Sequence, residues 1–184
     1  MNINEQHGKF NSPTEIRIVR TLPGPIERVW EYLTDPEKRS RWFCGGELQQ
    51  KAGGKVVFHM VHKKLAPNEK PPAKYAQVQD PGVSFDGRVL KCEAPRLLAY
   101  TFGSDDSEVT FELKPDGKQV TLILTHRVRG ADEEAELSNY GAGWHTHISL
   151  LIALLEGTPL PPFWATHARL HPEYKKLLAA TLKK

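Results

Sequence analysis

The sequence predicts an α+β domain in which a curved antiparallel sheet of about six strands is covered by one long C-terminal helix. Three observations carry this. Residues 141–157, GAGWHTHISLLIALLEG, set Trp144, Ile148, Leu151 and Leu155 on one stripe at the helical period. Ile152 and Leu154 widen that stripe, while Thr146, Ser149 and Ala153 lie opposite. Residues 83–128 alternate apolar and polar side chains through successive short runs, as strands with one dry and one wet face do. Between two of those runs, Pro115-Asp116-Gly117-Lys118 reads as a tight hairpin turn. So broad a helical stripe needs a large apolar surface beneath it, and the dry face of the meander supplies one.

Residues 1–13 are polar, lack a period and are predicted to be a flexible arm. Residues 14–21, TEIRIVRT, set Ile16 and Ile18 against Arg17 and Val19 and read as a first strand. Pro23, Gly24 and Pro25 turn the chain, and Pro25 suits a first helical position, where its missing N–H is no loss. Ile26, Val29, Trp30 and Leu33 then follow at i, i+3, i+4 and i+7, which gives one helix face to the core. Asp35 is a natural cap for a second short helix running to Trp42 and Phe43. Residues 55–61 form a strand with Val56, Phe58 and Met60 on one side. Residues 62–82 are rich in Pro and Lys and aperiodic; a loop of that length is expected to be a lid or disordered.

The meander follows. Phe85, Gly87 and Val89 share a face of 83–92, and Leu98, Tyr100 and Phe102 share one of 95–102. Val109, Phe111 and Leu113 turn inward from 108–114, as do Val120, Leu122, Leu124 and His126 from 119–128. The acidic residues 131–137 suggest a turn of helix ahead of Gly141 and Gly143, which are read as loosening the chain before the long helix; Gly157 and Pro159 end it. After Pro161 and Pro162, Pro172 is predicted to open a last short helix with Tyr174, Leu177, Leu178 and Leu182 on one face. The organisation is therefore an arm at 1–13, a domain at 14–157, and an extension at 158–184 that packs on the domain or on a partner.

With 184 residues, 39% of them hydrophobic, the chain is long enough for one domain with a substantial core. Lys+Arg 25 against Asp+Glu 22 gives a net charge of +3 with the basic residues scattered, which argues against a nucleic-acid partner. No apolar run is long enough to insert in a membrane. Cys44 and Cys92 stand apart with no CxxC spacing and no secretory signal, so a reduced, cytoplasmic protein is expected.

Strand, helix pair, curved meander and long helix follow the helix-grip order. The segments RTLPGPIERVWEYLTDPEKRSRWF (20–43), GRVLKCEAPRLLAYTF (87–102) and SEVTFELKPDGKQVTLILTH (107–126), with Gly143-Trp144, resemble the activator-of-Hsp90-ATPase-like family of the Bet v 1/START-like superfamily. The resemblance covers roughly 15–157. It implies a sheet wrapped around the last helix of the domain with an apolar cavity between them. Two departures, the longer 62–82 loop and the residues after 157, would close or fill the cavity entrance. The resemblance also raises Hsp90 as a partner, but eukaryotic stimulators join this domain to a separate N-terminal domain, for which no room exists before Glu15; Hsp90 is therefore an unlikely partner.

The ligand-binding candidates are Trp42, Phe58, Phe85, Tyr100, Phe102, Phe111, His126, Trp144, His147 and Leu151, an apolar set with a few polar handles. Core packing is the competing reading for each. His126, His147 and Tyr100 are the catalytic candidates, because an imidazole near neutral pH serves as a general base, although each could simply hydrogen-bond a neighbour. His145 is expected at the rim. His167 and His171 have i, i+4 spacing but no identifiable third ligand, so no metal and no cofactor is expected. Nucleophile elbows, P-loops and GxGxxG motifs are absent. A small apolar ligand bound by a non-enzymatic module is favoured, with a cyclase- or hydrolase-like enzyme as the alternative. Phe163 and Trp164, in a Pro-rich tail, are offered as the contact of a homodimer.

Overall fold

The computed structural model describes residues 2–183. Its strands are β1 (Lys9–Ser12), β2 (Glu15–Pro23), β3 (Lys55–Met60), β4 (Val83–Glu93), β5 (Leu97–Phe102), β6 (Ser104–Asp116) and β7 (Gln119–Val128). They make a seven-stranded antiparallel sheet in the order β1-β2-β7-β6-β5-β4-β3. The helices are α1 (Ile26–Thr34), α2 (Pro36–Ser40), α3 (Ala76–Gln79), α4 (Ala131–Glu156) and α5 (Phe163–Thr181). The seventh strand, β1, lies in the segment expected to be a flexible arm. Lys9 pairs with Arg17 and Phe10 with Ile16, and the Phe10 ring meets Tyr174 edge-on at 6.1 Å. A four-residue strand with no fully buried side chain leaves little periodicity to read.

The alternation within the strands has its expected consequence. Ile16, Ile18 and Leu22 of β2 and Val120, Leu122, Leu124 and His126 of β7 are all buried on the inner face. The β6–β7 hairpin closes at Asp116 opposite Gln119, and Gly117 takes the left-handed conformation (φ 59°) that a side chain would strain. Ile26, Val29, Trp30 and Leu33 bury one face of α1, with Pro25 just before the first helical residue rather than within it. Asp35 Oδ1 accepts the Lys38 N–H at 2.8 Å, the cap expected of it. Helix α2 ends at Ser40 and leaves Trp42 and Phe43 in a buried turn. Arg39 holds that turn: its Nε donates to the Cys44 carbonyl (3.1 Å) and a terminal nitrogen to those of Gly46 (2.7 Å) and Val57 (3.0 Å).

Helix α4 corrects the sequence expectation at its start. It begins at Ala131 and runs through both glycines. A Cβ on Gly141 would stand 2.6 Å from Ile16 Cδ1 and 2.8 Å from Tyr174 Cδ1, so this glycine permits close packing instead of loosening the chain. The C-terminus is as expected: Gly157 has φ 70°, and its N–H bonds the Ala153 carbonyl. Trp144, Ile148, Leu151 and Leu155 are buried, but so are Thr146 and Ala153 on the supposedly open side. Helix α4 is packed against both α5 and β2, so it is covered on more than one side.

Helix α5 is continuous through Pro172, where a new helix was predicted. Leu170 and Tyr174 on either side are fully buried, and the Tyr174 hydroxyl accepts the Gly8 N–H at 2.8 Å and lies 3.0 Å from His145 Nδ1. Tertiary packing thus offsets a local cost of about 3 kcal/mol for proline inside a helix. Phe163 and Trp164 are only 1% and 4% exposed, so the side chains offered as a dimer contact are spent on the chain's own core.

The 62–82 segment is an ordered wall. Short 3-10 turns at His62–Lys64 and Ala73–Tyr75 lead into α3. Gln79 Nε2 donates to the Ala66 carbonyl at 3.1 Å, and its Oε1 accepts the Trp164 indole N–H at 2.8 Å. The Glu69 carboxylate accepts the N–H groups of Phe163 (2.6 Å) and Ala165 (3.1 Å) at the start of α5, where Pro162 offers no capping side chain. Among the described residues no helix is long and apolar enough to cross a membrane.

Candidate functional site

A cavity of about 330 Å³ lies between the middle of α4, the β3–β5 edge of the sheet, the 62–82 wall and the start of α5. Helix α4 contributes Asn139, Tyr140, Gly143, Trp144 and His147, whose spacing places them on one helical face. The sheet contributes Met60, Val83, Phe85 and Phe102, and the turn after α2 contributes Phe43. His62, Tyr75 and Val78 come from the wall, and Phe163, Trp164 and His167 from α5. Among the described residues no Lys, Arg, Asp or Glu lines it. The aromatic rings meet closely, with Phe43 at 4.8 Å from Trp144 and Tyr75 stacked on Trp164 at 5.3 Å. A Cβ built on Gly143 has nothing within 4 Å, so this glycine faces open space.

Of the residues expected to bind ligand, Phe85, Phe102, Trp144 and His147 line the cavity. Trp42, Phe58, Tyr100, Phe111, His126 and Leu151 do not. They fill the deeper part of the core, with Phe58 packed between Phe85 (5.0 Å) and Tyr100 (5.1 Å), Phe111 edge-on to Trp144 (5.7 Å), and the Trp42 indole bonded to the Tyr32 carbonyl (2.8 Å). Strand alternation reports which face a side chain takes, not how far along the helix the sheet closes.

The histidines divide by their partners. Trp144 Nε1 donates to His126 Nδ1 at 2.9 Å, so the His126 proton sits on Nε2 and is donated to Ser107 Oγ at 2.8 Å. Both nitrogens are used, and burial pushes the imidazole down to about 3, which makes His126 a neutral structural bridge. His147 donates from Nδ1 to the Trp42 carbonyl at 2.7 Å, leaving Nε2 as an acceptor. Burial first, then His62 and His167, holds its pKa well below the ordinary value. Burial also raises the Tyr100 phenol well above its usual range. His145 is buried beneath α5 rather than at the rim.

His62 and His167 carried no weight as ligand contacts in the sequence. His62 packs among His147 (5.2 Å), Phe163 (4.7 Å) and Trp164 (5.3 Å), and neither of its buried ring nitrogens has a partner among the described residues. The buried Nδ1 of His167 is also unpartnered. Burial lowers both imidazoles to about 4. His167 and His171 lie 5.6 Å apart, and no group of three His, Cys, Asp or Glu suited to a metal occurs among the described residues. Cys44 is buried, with its thiol pushed up to about 12. Tyr140 and Asn139 would have been legible by extending the Trp144 stripe one turn back; the wall and α5 residues had no periodic signal.

The sequence profile described as "Activator of Hsp90 ATPase homolog 1-like protein" matches residues 23–156, well over half the chain. The solution NMR structure of the protein encoded by gene BPP1335 from Bordetella parapertussis is 43% identical over 96% of this chain and 92% of that one, with a TM-score of 0.77. CalU16 from Micromonospora echinospora is 23% identical, covering 90% of this chain and 88% of its own, at TM-score 0.64. EF2215 from Enterococcus faecalis, a conserved protein of unknown function, is 17% identical over 98% and 94%, at 0.72. Among curated proteins none matches.

Proposed function

Because the chain belongs to the Activator of Hsp90 ATPase homolog 1-like family, we propose that it binds a small hydrophobic or aromatic molecule between α4, the sheet and the wall that α5 holds in place. The supporting observation is the aromatic cavity of about 330 Å³, a volume within the range of small-molecule sites. Native mass spectrometry of the purified protein will retain a small molecule or take up naphthalene. Gly143→Leu projects a side chain into the open space and will abolish that uptake while the protein stays folded. Equal uptake by wild type and variant contradicts the proposal.

A cyclase- or hydrolase-like activity is the second reading, and of the catalytic candidates only His147 lines the cavity. Its Nε2 is a fixed acceptor, but burial and its neighbours make it a weak base near neutral pH. Binding is therefore favoured over catalysis. The family description does not make Hsp90 a partner of this chain.

A further inference from the structure

We propose that the ligand is an uncharged aromatic carrying a hydroxyl group, recognised by the imidazoles of His62 and His167, in which His62 is the principal hydrogen-bonding partner. This rests on the cavity being a ligand site.

The inference starts from unmet hydrogen bonding. A neutral imidazole has one donor and one acceptor, and a buried polar atom left unpaired costs about 1–3 kcal/mol. Native proteins pair nearly all such atoms. His62 is only 5% exposed and His167 4%, yet both nitrogens of His62 and Nδ1 of His167 lack a partner. Both residues line the same cavity. The other histidines packed within the fold are differently placed: His126 uses both nitrogens on Ser107 and Trp144, and His147 spends Nδ1 on the Trp42 carbonyl.

A hydroxyl both donates and accepts, so it can pair with one ring nitrogen of His62 whether that nitrogen is the donor or the acceptor. Aromatic character follows from the walls, in which Phe163 and Trp164 flank His62 and Tyr75 stacks on Trp164. Neutrality follows from the lining, where no side chain of fixed charge would compensate a desolvated carboxylate or ammonium. Burial keeps His62 and His167 uncharged near neutral pH, so neither supplies a counter-ion. His167, Phe163 and Trp164 lie beyond the 23–156 family match, so part of the selectivity comes from the C-terminal extension.

The experiment is calorimetric titration of the full chain at pH 7.5 with naphthalene, 2-naphthol and 2-naphthoate. Wild type will bind 2-naphthol about tenfold more tightly than naphthalene, the effect of a hydrogen bond to an otherwise unpaired group, and 2-naphthoate most weakly. His62→Phe will bring the affinity ratio of 2-naphthol to naphthalene down to about one, and His62→Gln, which keeps a donor and an acceptor, will retain the preference. Equal wild-type affinity for naphthalene and 2-naphthol, tightest binding of 2-naphthoate, or an equal loss of both neutral probes in His62→Phe overturns the hydroxyl assignment and leaves the cavity reading standing. Binding of none of the three overturns both.

Discussion

Two glycines two positions apart on α4 have opposite physical roles. Gly143 faces empty space, so Gly143→Ala keeps the cavity mostly open, removes a flexible helical residue and will stabilise the protein by about 0.5–1 kcal/mol in urea unfolding. Gly141 has Ile16 and Tyr174 within 3 Å of a would-be Cβ, so Gly141→Ala will destabilise by about 1–3 kcal/mol in the same measurement. Matching signs would mean that α4 is turned differently against β2. Arg39 is the other single residue with a large predicted effect. Its planar fork reaches several carbonyls at once, which a lysine ammonium cannot do. Arg39→Lys will cost about 2–4 kcal/mol, measured by chemical denaturation. Nothing in the sequence distinguishes Arg39 from its solvated neighbours Lys38 and Arg41, because its role depends on how the turn at 44–46 folds back and where β3 brings the Val57 carbonyl.

At the scale of elements, the 62–82 wall and α5 order each other. Glu69 closes the exposed N–H groups at the start of α5, and Gln79 anchors Trp164. Glu69→Ala will lower stability by about 1 kcal/mol and speed hydrogen exchange in residues 62–82 and at the start of α5 together; faster exchange in only one of them would show that they are independent. Strands were legible where one face is dry, as in β2, β6 and β7, because burial on one side imposes a two-residue period. The α1 face and the Asp35 cap were legible for similar local reasons. The wall was not, since its order comes from contacts with α5 more than eighty residues away in the chain. Proline masked the continuity of α5, and glycine masked the start of α4; in both helices packing by neighbours overrides local preference.

At the scale of the molecule, buried neutral histidines couple stability to acidity. His62 and His167 are held at about 4, and His126 and His145 at about 3, against an ordinary 6.5. Between those limits the unfolded chain binds more protons than the folded one, so stability is full above about pH 6.5 and falls as the solution is acidified. Each such imidazole removes about 2 kcal/mol by pH 5. The urea midpoint will therefore drop steeply from pH 7 to pH 5, and a flat profile would contradict their burial. The family and fold were readable from the sequence because an apolar helix beside an alternating meander has few ways to pack. The cavity's location was only half readable, because Phe85, Phe102, Trp144 and His147 lie on periodic elements and His62, Phe163, Trp164 and His167 owe their positions to the extension. The placement of the tryptophans has a practical consequence. Trp144 and Trp164 border the hollow with their indole N–H groups bonded to His126 and Gln79, whereas Trp30 and Trp42 bond Gln50 and the Tyr32 carbonyl elsewhere. Intrinsic ultraviolet emission is thus a dye-free gauge of occupancy, and replacing Trp30 and Trp42 by phenylalanine would leave only the two chromophores that border the ligand.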